Sequence, residues 1–340
     1  MFNVAFKDSL SLWKALYDLP DHLLYGISQE IKELPEHQDI ENVVILGMGG
    51  SGIVGDIVYA LGKEIISVPV ITVKDYEIPG FVDTGSLVIA ISFSGNTEET
   101  LEATQQSFEA GSALVVISKG GELGQIAKSF KLPYVKLPND ITQPRAAVGA
   151  MAACVLKILD QTSLLPGSVS WLEKSAQYLI KNRDVIIESA KELAKELLDS
   201  FPLIYGATGI GEVVAKRLKN QINENVKAPA FYSTYPELCH NELAGWGQLG
   251  DLSRQIIYLV QIVANNEHPQ VLERISWVSE RLIESVKGQY LLKAKSDNDF
   301  TALFELIMLV DAVSLWMAGY LGIDPGPVPA LDELKAYLRR

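Results

Sequence analysis

Apolar positions along the first part of the chain fall in short, nearly continuous runs: NVVILG (42–47), VPVITV (68–73), SLVIAIS (86–92), SALVVIS (112–118) and LPYVKL (132–137). Runs of this length, rich in β-branched residues and bounded by Gly, Pro or Ser, read as strands. Between them IVGDIVYAL (53–61), TEETLEATQQSFEAG (97–111) and ELGQIAKSF (122–130) repeat their apolar residues at helical spacing. The middle one opens on acids that suit a helix N-terminus. Such alternation predicts a parallel sheet with helices on both faces, and the unbroken apolar strands fit a sheet covered on each side.

From about Ala146 to Leu198 the pattern turns helical, and then the alternation restarts. PLIYGATGIGEVVAKRL (202–218) reads as strand, Gly-rich turn and helix; QIIYLVQIV (255–263) and QYLLKA (289–294) read as strands around the helix HPQVLERISWVSERLIESV (268–286). Placing Gly47 over Gly206 also puts Gly50 over Gly209 and Gly52 over Gly211, each just after an apolar strand. The fold class expected is therefore α/β, with two similar doubly wound parallel-sheet domains of three-layer αβα type and a C-terminal helical segment. Expected boundaries are a helical N-terminal segment (1–41), a first α/β domain (42–160), a helical connector (161–200), a second α/β domain (201–322) and a tail with a helix (323–340).

Composition narrows what such a chain can do. At 340 residues, 48% hydrophobic and 21% charged, it has the balance of a globular protein with more than one core. A formal net charge of −13 argues against non-specific nucleic-acid binding. The same charge repels any anionic ligand, which would have to be caught locally by amides, hydroxyls and a few placed cations. Two cysteines far apart, Cys154 and Cys239, suggest neither a zinc site nor a disulfide framework. The N-terminal stretch has scattered charges and does not read as a signal peptide. Phe300 to Ile323 is strongly apolar but carries Glu305 and Asp311, which favours a buried helix over a membrane span. A cytoplasmic location is expected, with no nucleic-acid or membrane partner.

Two turns could carry chemistry. GMGGSG (47–52) satisfies the G-x-G-x-x-G pattern, and Asp75 stands roughly where a ribose-binding acid would; taken alone it is ambiguous between a dinucleotide and a substrate phosphate. SFSGNTEET (92–100) places Ser92, Ser94 and Thr97 within one turn of a helix start, with Gly95 among them, and Ser51 adds a fourth hydroxyl from the first turn. Any one of these hydroxyls is as readily a helix cap. The whole cluster, at the carboxyl ends of parallel strands, points to a phosphate monoester. The second half has Ile210 in place of Ser51, and Ala264, Asn265, Asn266 and Glu267 in place of the hydroxyl cluster.

The GGSG turn, the SFSGNTEET loop and the doubled layout resemble the sugar isomerase (SIS) domain family. QPRAAVGAM (143–151), NENVKAPA (223–230) and CHNELAGW (239–246) bring the resemblance to the bifunctional phosphoglucose/phosphomannose isomerases, over nearly the whole chain from Asn42 to the LKAYL near its end. That resemblance implies a hexose 6-phosphate substrate and no cofactor; with no H-E-x-x-H and with His22, His37, His240 and His268 scattered, no metal is expected either. The resemblance implies phosphate binding by Gly50, Ser51, Ser92, Ser94 and Thr97, and Glu224 as the base that moves a proton between C1 and C2. It further implies Arg145 stabilising the enediolate, with His240 assisting ring opening from the neighbouring subunit of a homodimer and Lys335 also assisting. By residue type alone, Glu224 is one of 42 acids and would be a solvated helix-end charge, and His240 one of four scattered histidines. Two other functions stay open: a non-catalytic sugar-phosphate sensor built on the same loops, and a dinucleotide-dependent oxidoreductase resting on Gly47, Gly49 and Gly52.

Overall fold

A computed structural model describes residues 7–246 and 251–338; the ends of the N-terminal segment and tail, and residues 247–250, lie outside it. The chain divides into two units, Tyr17–Lys181 and Asn182–Arg340 with Met1–Leu16. Helix α1 (Leu12–Tyr17) begins in the latter; α2 (Leu19–Ser28) begins the former.

Within Tyr17–Lys181 the strands are β1 (Asn42–Leu46), β2 (Val70–Val73), β3 (Ser86–Ser92), β4 (Ala113–Ser118) and β5 (Tyr134–Lys136). They pair in parallel in the order β2-β1-β3-β4-β5. The helices between them are α3 (Gly49–Gly62), α4 (Glu98–Glu109) and α5 (Gly121–Ser129). Every residue of the central strands β1 and β3 is buried, which is why their sequences never alternate. Val44, Leu46, Val88, Ala90 and Val116 form one apolar cluster with Leu123 and Ala127 of α5. On from β5 the chain forms α6 (Val148–Gln161), packed against α2, and then α7 (Ser168–Glu196), which runs across the unit boundary.

The second unit repeats the plan. Its strands β6 (Phe201–Ala207), β7 (Phe231–Tyr235), β8 (Ile257–Val263) and β9 (Gly288–Lys293) are all parallel, in the order β7-β6-β8-β9. Its helices are α8 (Ile210–Gln221), α9 (Asp251–Ile256), α10 (Pro269–Leu282), α11 (Asp299–Tyr320) and α12 (Pro329–Leu338). Strand for strand, this is the first sheet without its fifth member. The glycine correspondence read from the sequence has a physical basis. A Cβ on Gly52 would meet the Gly47 carbonyl oxygen at 2.5 Å, and one on Gly206 would meet the Gly211 carbonyl oxygen at 2.2 Å. In both halves strand end and helix start touch backbone to backbone.

Two elements differ from the sequence reading. Helix α3 starts at Gly49, not Ile53, because Met48 caps it and its carbonyl accepts from Ser51 and Gly52 at 2.9 and 3.0 Å. The strand β7, FYSTY, lies in a stretch for which the sequence pattern predicts no element.

The apolar stretch late in the chain is α11, a buried helix as its two acids suggested. Glu305 accepts the amides of Lys295 and Ser296, and Asp311 takes a two-pronged contact from Arg217 of α8 at 2.7 and 2.5 Å. Trp316 on the same helix donates to the Ile187 carbonyl and packs edge-on against Trp13. Removing one partner of a buried pair strands the other charge. Arg217→Ala is therefore expected to cost roughly 3–5 kcal/mol, read as a lower denaturation midpoint in urea with the slope unchanged.

Candidate active site

In a sheet of this order the switch point lies between β1 and β3, where successive connections leave in opposite directions and a crevice opens beyond the strands' carboxyl ends. Both candidate loops of the first unit sit there. From β1 the chain turns into α3, whose first-turn amides belong to Gly49 and Gly50, donors that a helix cannot satisfy internally. From β3 it enters Ser92–Thr97 and then α4, with Thr97 at the N-cap position.

The hydroxyls there act neither as a cap nor independently. Thr97 makes no side-chain cap bond; its Oγ1 lies 2.9 Å from Ser92 Oγ. Ser51 Oγ accepts from the Phe93 amide at 3.2 Å, Ser92 Oγ from Gly95 at 3.1 Å and Ser94 Oγ from Asn96 at 3.2 Å. A hydroxyl whose lone pair is taken by an amide still has its proton to give. Ser51 and Ser92 are buried and brace the loop, whereas Thr97 is half-buried and Ser94 exposed. The structure thus divides the four expected phosphate-binding hydroxyls into two that reach solvent, Ser94 and Thr97, and two that orient the loop behind them.

The loop keeps its shape by backing onto the next turn. Gly95 has φ 76°, and a Cβ there would lie 1.8 Å from the Gly120 carbonyl oxygen. Its own carbonyl accepts from Leu123 at 2.9 Å, and Asn96 Oδ1 accepts from the Glu122 amide at 3.0 Å. Lys119, which the sequence reading passed over, adds a cross-brace. Its amide donates to the Phe93 carbonyl, and its ammonium donates to the carbonyls of Asn139 and Ile141 at 3.0 and 2.8 Å. It also lies over the Phe93 ring. The only sign of it in the sequence is a lysine directly after an apolar strand.

That brace fixes the segment leading to Arg145. Pro144–Ala147 forms a single 3₁₀ turn ahead of α6, and Gly50 fits against it: a Cβ on Gly50 would be 3.0 Å from the Arg145 amide nitrogen. Arg145 is only 4% exposed, so it is not a surface ion-pairing residue; its Nη1 donates to Gln143 Oε1 at 3.3 Å. Gly50, Ser51, Ser92, Ser94, Thr97 and Arg145 are brought together on this one unit.

At the same place in the second unit the chemistry is reversed. Between β6 and β8 the amide of Ala264 donates to the carboxylate of Glu267 at 3.3 Å, and Thr208 Oγ1 is spent on the Tyr235 carbonyl at 2.6 Å. An acid fills the position where the first unit presents hydroxyls.

The other expected residues belong to the second unit. Glu224 lies in a π-helical turn, Ile222–Val226, that ends α8, and it is half-buried. Next to it Lys227 takes a left-handed conformation, φ 60°. Its ammonium donates to the carbonyls of Glu224 (2.8 Å), Asn225 (3.4 Å), Asp324 (2.9 Å) and Pro325 (3.1 Å). A cation at a helix C-terminus offsets the unpaired carbonyls there, and this one also ties the Glu224 turn to the start of the tail. Burial alone would raise the Asp324 carboxyl, but hydrogen bonds from Ser9 and Gly326 and the charge of Lys227 hold it below its ordinary value. Asn225, fully buried, donates to Ser314 of α11 at 2.9 Å and fixes the turn from behind.

His240 closes a 3₁₀ turn, Glu237–His240, after β7, and its side chain is exposed. Lys335 is exposed on α12, a helix with no buried residue. Among the described residues no group of three His, Cys, Asp or Glu side chains gathers as a metal site. Burial pushes the Cys154 thiol up to about 12, which removes it as a nucleophile near neutrality.

A doubled switch-point fold with a hydroxyl cradle on one copy defines a pair of SIS domains. The SIS domain family matches residues 38–132, and the family of bacterial phospho-glucose isomerase C-terminal SIS domains matches residues 186–338. The bifunctional phosphoglucose/phosphomannose isomerase of Caldicellulosiruptor bescii is 33% identical over 336 residues, spanning 95% of this chain and 98% of the relative. The chain belongs to the family of bifunctional phosphoglucose/phosphomannose isomerases. A D-glucosamine-6-phosphate 4-epimerase of Sulfolobus acidocaldarius is 30% identical over 234 residues, 68% of this chain and 69% of that protein. Among solved structures, the C-terminal domain of glucosamine-fructose-6-phosphate aminotransferase from Francisella tularensis shares the fold. Its TM-score is 0.73 at 16% identity, over 93% of this chain and 98% of that one.

Proposed function

We propose that the protein interconverts glucose 6-phosphate, and also mannose 6-phosphate, with fructose 6-phosphate, without a cofactor. The phosphate is held by the Ser94 and Thr97 hydroxyls and the first-turn amides of Gly49 and Gly50, with Ser51 and Ser92 bracing them. Once the sugar ring is open, the Glu224 carboxylate takes the proton from C2 of the aldose as the C1 carbonyl oxygen gains charge. The Arg145 guanidinium stabilises that enediolate, and the proton returns to C1 to give the ketose. Both aldose epimers lead to this one enediol, so one base serves both after rotation about the C2–C3 bond. His240 assists ring opening, in a homodimer where it comes from the neighbouring subunit, and Lys335 assists the same step. The enzyme works in the cytoplasm.

The observation that carries this reading is the cluster of pre-oriented hydroxyls at the first sheet's switch point, set against an acid at the second. A protein with −13 net charge has reason to concentrate its anion recognition in one such place. A non-catalytic sensor would use the same loops but could not exchange the C2 proton with solvent. A dinucleotide enzyme would use the glycine turn, but Asp75 is exposed and turns back to accept its neighbour's amide, Tyr76, at 2.7 Å.

The test is a coupled assay on glucose, mannose and fructose 6-phosphates, with glucosamine 6-phosphate as a fourth substrate. Interconversion of the first three is expected. Turnover of the amino sugar alone, at C4, would move the protein to the chemistry named for its Sulfolobus relative.

A further inference from the structure

The loop that carries His240 is fastened to the second sheet in a way that the reaction itself does not explain. It consists of two 3₁₀ turns, Glu237–His240 and Glu242–Gly245, and His240 ends the first of them. The first turn is anchored by Leu238, which is fully buried in a cluster with Tyr205 and Tyr235. The second is anchored by Glu242, whose Oε1 accepts from the Tyr205 phenol at 2.5 Å. Trp246, at the far end, hydrogen-bonds the same phenol and packs on the same cluster. Among the described residues the segment's other hydrogen bonds are local: Cys239 to the Pro236 carbonyl, Asn241 to Glu237, Glu242 to Asn241, Ala244 to Asn241 and Trp246 to the Leu243 carbonyl. Bonds of that kind shape each turn but fix neither to the sheet.

The tyrosine end of the contact is rigid. Tyr205, on β6, is fully buried and its ring stands edge-on to Tyr235, centroids 5.9 Å apart. Tyr235 in turn donates to Gln261 at 2.5 Å, which donates to Ser279 at 2.6 Å, so the neighbouring phenol is tied to β8 and α10. Burial, and for Tyr205 the bond to Glu242, raises both phenols far above their ordinary value. Neither ionises in the working range, so Tyr205 remains a donor throughout. A hydrogen bond from a buried neutral donor to a carboxylate is among the stronger kinds, and its acceptor sits two residues from His240.

We propose that the Tyr205–Glu242 hydrogen bond is the latch that holds His240 in position, making both of them positioning residues for ring opening. This rests on the reading of His240 given above and holds for whichever subunit's substrate His240 serves. A loop released from its latch would leave the imidazole in place only part of the time. The loss would then fall on the step that needs His240 and spare the proton transfer between C1 and C2.

The measurement compares two substrates: fructose 6-phosphate, which must be opened, and a hexose 6-phosphate analogue lacking the 4- and 5-hydroxyls, which cannot close a ring. Tyr205→Phe is expected to lower kcat on fructose 6-phosphate by about tenfold or more. On the open-chain analogue the change should stay within about twofold. Glu242→Ala, which removes the acceptor and leaves the buried tyrosine in place, should give the same split. His240→Asn is the control. If it shows the split while both latch variants lose activity equally on the two substrates, or lose none, the latch is overturned and the role of His240 survives. If His240→Asn loses nothing on fructose 6-phosphate, the ring-opening role falls and takes the latch with it.

Discussion

Glu224→Gln is expected to lower kcat on fructose 6-phosphate by roughly 10²–10⁴-fold while leaving the Kd for that sugar within about threefold. Glutamine keeps the shape and loses only the basicity, so the deficit belongs to the transition state, on the order of 3–5 kcal/mol. The site is arranged to make the comparison clean. Asn225 behind the turn and Lys227 across its carbonyls hold the backbone through interactions that do not involve the Glu224 side chain. Solvent deuterium at C1 of recovered fructose 6-phosphate should disappear together with turnover. A variant that still exchanged this proton would remove Glu224 from the role of base.

The second large effect concerns binding. Gly95→Ala should raise KM for fructose 6-phosphate about a hundredfold, the equivalent of one or two charge-assisted hydrogen bonds. A left-handed φ of 76° already disfavours alanine, and the new methyl cannot coexist with the Gly120 carbonyl. The loop must move, and with it go the amide that orients Ser92 and the spacing of Ser92 to Thr97. The thermal midpoint should fall by only a few degrees, since the loop after β3 gives way while the apolar cluster between sheet and helices stays packed. An unchanged KM would mean that the phosphate is held elsewhere.

Much of this was legible in the chain, for identifiable reasons. Strands buried on both faces write themselves as unbroken apolar runs, and SLVIAIS is β3 to the residue. The repeat was legible because close backbone contact admits only glycine, which marks the same places in both halves. Strand β7 was not, because FYSTY is an edge strand of five residues with intermediate exposure, and its alternation is too short to stand out. The duplication could have revealed it, since β2 lies at the matching distance after the first Gly-rich turn.

The site was legible unevenly. Hydroxyl clustering in SFSGNTEET is visible because its members are close in sequence, but the division into bracing and solvent-reaching hydroxyls depends on burial that no local pattern encodes. Arg145, which only the family resemblance put forward, is buried where Gly50 leaves room for its backbone. Lys119, Lys227 and Tyr205 were missed for a common reason. Each acts across a long stretch of sequence: Lys119 on residues 20 and 22 positions away, Lys227 on a turn 97 away, Tyr205 on an acid 37 away. Residues that position others leave their signal in three dimensions.

The central claim is that neutral hydroxyls and helix-start amides of one sheet grip the sugar's phosphate. The most direct measurement is a crystal of the Glu224→Gln enzyme soaked in fructose 6-phosphate, which should bind without turning over. Phosphorus within hydrogen-bonding reach of Ser94 and Thr97 is the outcome anticipated; phosphorus at the second sheet's switch point, beside Glu267, would contradict it.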